Sequence, residues 1–492
     1  MKIRNEKLGI RNKLKIFFVL LCAIISVNIY AQEFGFDNDD DSDSGGKISA
    51  FTVTVGGEVS ASVLVFVDDI YNGAEYVSLG DIFSGSLNFS AGTSFAEGVI
   101  NLNIQTTEQP VSIDEAYIRA FFGSLEIEGG LRKLTWGKAD SFGPLDVINP
   151  LDYSELTDLS DPMNLKIARP LIHASLRIGS FSKIEGVFVP YFEPLRYDTD
   201  GRWKPSQMKK LEEFPNLYKE QLRDQLIKGI KDRLGIDVTD VDITGVKVSE
   251  DRPSDISTLD YAQAGARFTT TIGPADIGLQ YYYGRLTRPA VYVTYTDTNM
   301  EINAPPIPTP LPLAIPIPTV HYVYNPYHQI GIDWAQVLFG FNVRAEFAAN
   351  ITGDLSADDG SVLNPALFWS FGFDRDLFWG INLNLQCNET IRLMYDKIGN
   401  DPLSDIEAGT DMTSTQIIAA LSKKFFRDEL ELRFAALWGI EDKDYLLMPA
   451  LIWTRDTVSV ELSAGIFGGN EDGQFGQYYN NNFVKVSLTY SF

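Results

Sequence analysis

From residue 48 to residue 492 the chain alternates apolar and polar positions with a period of two, in runs interrupted by Gly, Asp, Ser and Pro. Glu115, Tyr117 and Arg119 alternate with Ala116, Ile118 and Ala120. Asn342, Arg344 and Glu346 alternate with Phe341, Val343, Ala345 and Phe347, and Glu429, Glu431 and Arg433 with Leu430, Leu432, Phe434 and Trp438. In the last run Val484, Val486, Leu488, Tyr490 and Phe492 take one face, and Lys485, Ser487, Thr489 and Ser491 the other. The pattern predicts strands at 49–67, 83–95, 98–107, 113–122, 125–135, 169–178, 183–192, 261–271, 276–296, 320–337, 341–350, 364–373, 378–395, 412–425, 429–439, 445–454, 457–467 and 478–492.

The connections sort by parity. After even-numbered strands they are short and rich in Gly, Asp and Ser, as tight hairpins require. After odd-numbered strands most are long: 68–82, 136–168, 193–260, 297–319, 351–363, 396–411 and 468–477. A soluble sandwich gives no reason for this sorting. A transmembrane antiparallel up-and-down β-barrel of about eighteen strands (16–18) does, with short periplasmic turns, long outer loops, apolar residues toward lipid and polar ones toward a lumen. Such a closed barrel satisfies every backbone N–H and C=O between strands. Trp369, Phe378, Trp379, Trp438 and Trp453 near strand ends suit interfacial girdles.

The N-terminus adds a destination. Lys2, Arg4, Lys7, Arg11, Lys13 and Lys15 precede an apolar stretch from Ile16 to Val27, which ends at Ile29-Tyr30-Ala31. This predicts a secretory signal peptide over 1–31, followed by an acidic flexible linker at 32–47 and a barrel over 48–492. The whole chain carries a net charge of −25, and without the six basic residues and one acidic residue of 1–31 the remainder stands at −30. That balance argues against nucleic acid as a partner. One cysteine, Cys387, remains after the signal, so no intramolecular disulfide can form and stability must come from packing or a membrane.

Strand 125–135 leads into Trp136-Gly137-Lys138-Ala139-Asp140 and then Asp146-Val147-Ile148-Asn149-Pro150-Leu151-Asp152. A basic strand followed by Trp-Gly-x-x-Asp and Asp-Val-Ile-Asn-Pro-x-Asp resembles an uncharacterised family of porin- or transporter-like outer-membrane β-barrels of Gram-negative bacteria. The resemblance covers residues 130–170 and implies a transport role with no settled solute. The final strand, with Tyr490 and a terminal Phe492, resembles the C-terminal signal read by the barrel assembly machinery, the one protein partner expected besides outer-membrane lipid. The segment 136–168 reads in two ways: a surface loop, or a loop folded inward as a constriction. In the second reading Asp140, Asp146, Asn149 and Asp152, with Asp158 and Asp161, face lumen arginines such as Arg119, Arg132, Arg177 and Arg344.

Two inserts stand apart. In 193–260, Leu222, Leu226, Ile230 and Leu234 form one apolar stripe on a charged helix, which Pro215 is expected to split in two. Residues 303–320 carry no charge and place Pro between Ile and Leu, predicting an extended polyproline II segment that lids the mouth or dips to the membrane surface. The histidines His173, His321 and His328 have no metal-ligand spacing, and no nucleophile elbow or phosphate loop is present, so no catalytic residue, metal or cofactor is expected. The expectation is an outer-membrane channel or transporter for small solutes, partly apolar or charged. A barrel-anchored surface-binding protein using 193–260 and an outer-membrane hydrolase are the alternatives.

Overall fold

A computed structural model describes residues 51–71, 83–105, 110–159 and 162–492. The signal peptide, the acidic linker and Asp161 lie outside the described residues. Eighteen strands form one sheet: β1 (Thr52–Phe66), β2 (Phe83–Gly92), β3 (Ala96–Gln105), β4 (Val111–Phe122), β5 (Leu125–Arg132), β6 (Arg169–Ile178), β7 (Ser182–Val189), β8 (Gln263–Ile272), β9 (Ala275–Arg285), β10 (Pro326–Leu338), β11 (Phe341–Thr352), β12 (Ala366–Asp376), β13 (Ile381–Arg392), β14 (Thr413–Phe425), β15 (Leu430–Gly439), β16 (Asp444–Arg455), β17 (Val458–Gly469) and β18 (Phe483–Ser491). Each strand pairs antiparallel with its neighbours in sequence, and β18 closes on β1 in a register running from Glu58↔Ser491 to Phe66↔Phe483. The result is a closed up-and-down barrel.

The period-two pattern decides the two faces. Ile118, Ile172, Ile184, Leu279, Ile332, Phe347, Phe371, Leu432, Leu462, Val486 and Leu488 stand exposed on the outside, an apolar belt suited to hydrocarbon. Inward positions bury Glu115, Glu128, His173, Glu185, Arg267, Gln280, Gln329, Asp333, Glu346 and Gln386. At one end of the barrel the connections are tight turns. Gly340 at φ +79° follows Phe339 at φ +53°, a left-handed pair where glycine removes half the strain and the exposed phenylalanine keeps the other half. Trp379 and Phe426 occupy similar left-handed, exposed tips.

At the other end the long connections depart from expectation in three places. The strand expected at 276–296 ends at Arg285, and 320–337 begins only at Pro326. Between them Ala290–Ile302 and Leu311–Val323 form a separate hairpin outside the barrel, joined by Ser249–Asp251. The proline-rich segment is therefore partly a β-strand, not polyproline II. Prolines 312, 316 and 318 lie two or four residues apart, so their missing N–H groups all fall on one edge, and the other edge pairs freely with Ala290–Ile302. Tyr218 donates its hydroxyl proton to the Pro316 carbonyl on that far edge.

Ser206–Leu234 is one helix that runs through Pro215. A proline inside a helix costs about 3 kcal/mol, but tertiary packing grips both sides of it. Leu211 and Phe214 pack beside Val293, Val320 and Tyr322, while Tyr218, Leu222, Leu226 and Ile230 pack with Val241, Ile302 and Ile315. The helical stripe and the apolar proline strand thus bury each other. The helix also meets the connection before β18 through Ser206–Gln477 and Lys210–Asp472, and the hairpin meets the connection after β13 through Val293–Leu403.

Removing 483–492 leaves β1 and β17 with unpaired edges. The shortened chain is expected to lose the heat-modifiable migration of a closed barrel and to become protease-sensitive. A truncated chain that still migrates as a compact barrel would place the closing contact elsewhere.

Candidate functional site

The segment after β5 turns into the barrel, and its local chemistry explains the turn. The Asn149 side chain accepts from the Leu134 N–H at 2.8 Å and donates to the carbonyls of Arg132 (3.0 Å) and Ile167 (2.8 Å). One carboxamide therefore clasps the outgoing and returning chain. Lys166, almost fully buried, binds Asp146 at 2.6 Å and donates to Thr135 Oγ1 at 2.7 Å. Arg169 donates to the carbonyls of Ile148 (3.0 Å) and Tyr191 (2.7 Å), and Leu145 and Ile148 have no exposed surface.

The arm 138–146 then lies against the inner wall of β9 to β13. The Glu346 carboxylate accepts from the N–H groups of Lys138, Ala139 (2.7 Å) and Leu145 (3.2 Å). Gln386 accepts from Ser141 N–H at 3.1 Å, and Gln386 and Asn388 both donate to the Phe142 carbonyl. Gln329 donates to Pro144 O (3.0 Å) and Gln280 to Leu145 O (2.9 Å). Because the segment leaves from β5 and is held by β9 to β13, it crosses the lumen. Gly137, at φ +101°, and Gly143 sit so close to Glu346 that a Cβ on either would strike its carboxylate.

Asp140 is at the arm's inner tip. It pairs with Arg344, which also binds Asp374 at 2.7 Å, and it accepts from Asn384 at 2.9 Å. Asn342 donates to Asp374 at 2.7 Å. Asp140, Arg344, Ser370 and Gln386 line a narrow crevice beside the tip, too tight to hold a water molecule. Burial pushes the Asp140 carboxyl above the usual range, with Asn384 and Arg344 opposing and Asp374 adding to the rise.

The other two stretches of wall differ in their chemistry. On β3 to β7 the charges are paired along the wall. Arg119 lies 3.7, 3.0 and 2.5 Å from Glu97, Glu126 and Glu128, Arg132 is 2.7 Å from Glu115, and His173 sits between Glu128 (3.1 Å) and Glu185 (3.4 Å). On β14 to β18 and β1 the segment packs apolar surface. Leu156, Leu159 and Leu165, with Trp203 from the next long connection, bury against Leu64, Phe66, Ile418, Leu437, Leu446, Phe467 and Phe483.

Of the residues singled out by sequence, the structure brings Asp140 and Arg344 together. Arg119 and Arg132 bind wall glutamates rather than the segment's acids. Asp146 meets a lysine, Lys166, and Asn149 is an internal clasp. Asp152 lies 3.7 Å from Arg196 at the long-loop end. Arg177 does not face the segment: it is exposed at the short-turn end of β6, and its place on the strand, eight residues from Arg169, fixes that distance. Glu346 and the carboxamides of Gln280, Gln329, Gln386 and Asn388 were missed as partners. Their signal was present, since each occupies a polar inward position of a strand. Among the described residues, no three His, Cys, Asp or Glu side chains gather as metal ligands.

No protein-family model and no curated protein sequence matches this chain. Among solved structures it is similar to the outer membrane channel DcaP of Acinetobacter baumannii (10% identity, 92% of this chain and 100% of that one, TM-score 0.38). It is also similar to OccK9 (OpdG) of Pseudomonas aeruginosa (9% identity, 91% and 99% covered, TM-score 0.45). A third is Wzi of Escherichia coli, described as a carbohydrate-binding β-barrel of group 1 capsule assembly (9% identity, 89% and 84% covered, TM-score 0.41). Likenesses this distant carry no inference about this chain, whose barrel rests on its own strand pairings.

Replacing Glu346 with Gln removes the charged acceptor shared by three amides of the arm. Hydrogen bonds to charged groups are worth about 1.5–3 kcal/mol, so amide exchange over 138–145 should accelerate by about tenfold or more. Unchanged protection, measured by hydrogen–deuterium exchange on the folded variant, would mean that Glu346 does not hold the arm.

Proposed function

We propose that this protein is an outer-membrane channel for small solutes, with the segment 136–168 as its constriction. The observation that carries the reading is the arm 138–146, hydrogen-bonded across the lumen to inward-facing side chains of β9, β10, β11 and β13. A barrel with an apolar exterior and a polar interior suits passage through a bilayer, and a loop spanning its inside narrows the passage without closing the strands. In this reading the short turns face the periplasm, the helical insert and the proline hairpin face outside, and the signal peptide directs export. The closing strand, with Tyr490 and Phe492, is the part the assembly machinery would engage. The apolar proline strip is buried against the helix, so it gives no reason to favour apolar solutes.

The geometry singles out Asp140 among the segment's acids. Asp140 lies at the arm's tip with 26% of its side chain exposed, whereas Asp152 sits at the outer rim and Asp146 is locked to Lys166. Asp140→Asn is expected to move the reversal potential of planar-bilayer currents toward anions. Asp152→Asn is expected to leave it in place, because charges beyond a Debye length of about 8–10 Å are mostly screened. Since burial raises the Asp140 carboxyl, mild acid should reproduce the Asp140→Asn shift before an ordinary aspartate would titrate. Equal shifts in both variants, or none in Asp140→Asn, would remove the arm from the permeation path.

A further inference from the structure

One strand of the inner wall differs from every other in its chemistry. β13 reads Ile-Asn-Leu-Asn-Leu-Gln-Cys-Asn, and its inward positions 382, 384, 386 and 388 are all carboxamides. Their inward direction is set by their partners. Asn384 reaches Asp140 of the arm, Gln386 and Asn388 reach Phe142, and Asn382 donates to Asp376 at 2.9 Å. At about 3.3 Å per residue, four alternate positions cover about 20 Å of a strand tilted by about 35–45°, or about 15 Å of the roughly 25 Å height of an apolar belt. Across the sheet, Gln416 of β14 stands beside Asn388, which widens the ladder at its outer end.

We infer that this ladder is the solute track of the channel, and that its solutes are small uncharged polyhydroxylated molecules of the sugar class. The inference rests on the channel reading above and names its substrate. A carboxamide offers two donors and an acceptor and carries no charge. A hydroxyl is likewise both donor and acceptor, so a ladder of amides can pass a polyol from rung to rung without leaving a buried polar group unpaired. A charged solute gains no counter-charge from the ladder itself. The charges beside it are Arg344, bound to Asp140 and Asp374, and Asp376, which accepts from Asn382. The β3 to β7 wall is the contrast: its arginines and glutamates are mutually paired, and a solute would have to break ion pairs to use them.

Two of the four rungs have neutral partners, while Asn382 and Asn384 donate to the carboxylates of Asp376 and Asp140. Gln386 and Asn388 bind a peptide carbonyl, and Gln386 also receives a peptide N–H. They therefore already bind neutral groups that donate and accept, which solute hydroxyls would replace.

The test uses the full-length protein in liposomes, with glucose, potassium gluconate and glucosamine hydrochloride as size-matched probes and KCl conductance as the reference. Glucose is expected to enter faster than either charged analogue. In Asn382→Leu/Asn384→Leu, the glucose rate relative to KCl conductance should fall about fivefold, the loss of roughly one hydrogen bond. Ser459→Leu/Ser487→Leu, which adds similar bulk to inward positions on β17 and β18, should change that ratio by less than about twofold. An unchanged ratio in the β13 variant, or an equal fall in the serine variant, overturns the ladder. Should the leucine variant fail to assemble, Asn382→Asp/Asn384→Asp keeps the shape while removing donors and adding charge, and glucose should then lose ground to glucosamine. Wild-type protein with no KCl conductance would sink the channel reading; conductance without a preference for glucose would sink the ladder alone.

Discussion

A strand in hydrocarbon has no water to satisfy its backbone, so every N–H and C=O must find a partner in the next strand. The rest of this molecule follows from that constraint. It forces closure, which the β1–β18 register supplies from Glu58↔Ser491 to Phe66↔Phe483. It forces a period of two, because each strand has one face in lipid and one in the lumen. It also keeps the helix, the proline hairpin and the segment 136–168 out of hydrocarbon, since they can satisfy their own polar groups only in water or within protein.

That segment meets the constraint in an unusual place. Inside the barrel its backbone has no ladder to join, and the wall answers with side chains. Glu346 takes three amides and Gln280, Gln329, Gln386 and Asn388 take carbonyls, while Asn149 clasps the segment's two ends. A carboxylate that accepts several N–H groups acts as a substitute for a missing strand. The glycines at 137 and 143 let the chain come close enough for this, since any side chain there would displace the carboxylate.

The barrel was legible in the sequence because its signals are local or periodic. Strand faces, the parity of loop lengths and the even strand count all hold in the folded chain, with one predicted strand for each of the eighteen. What was not legible depends on contacts between distant parts. Residues 303–320 look like polyproline by composition, and only the pairing of Leu311–Val323 with Ala290–Ile302 makes part of them a strand. Pro215 breaks a helix in isolation but not one gripped on both sides of the break. Arg177 has the right residue type and the right face, yet it stands at the wrong end of its strand. The carboxamides of β13 were in plain view as alternating Asn and Gln. Their importance needed the arm to be placed opposite them, and no local pattern reports that.

The three sides of the segment differ in what it would take to part them. The side toward β14 to β18 and β1 is apolar, and exposing a buried Leu or Phe costs about 1.5–3 kcal/mol each, with nothing in a polar solute to offset it. The β3 to β7 side keeps its ion pairs within the wall, and the segment meets it through Trp136 and Ile148, buried against Leu171, Val187 and Val189. The side toward β9 to β13 combines neutral carboxamide bonds, each worth a net ~0.5–1.5 kcal/mol when water is the alternative, with charged ones at Glu346 and Asp140, worth about 1.5–3 kcal/mol each. A solute with hydroxyl groups can take over such bonds one at a time, so the net cost of each exchange is small. In the channel reading proposed above, a passage would open along the carboxamide seam of β13, where neutral bonds are exchanged rather than lost, while Glu346 and the other two sides keep the arm in the lumen.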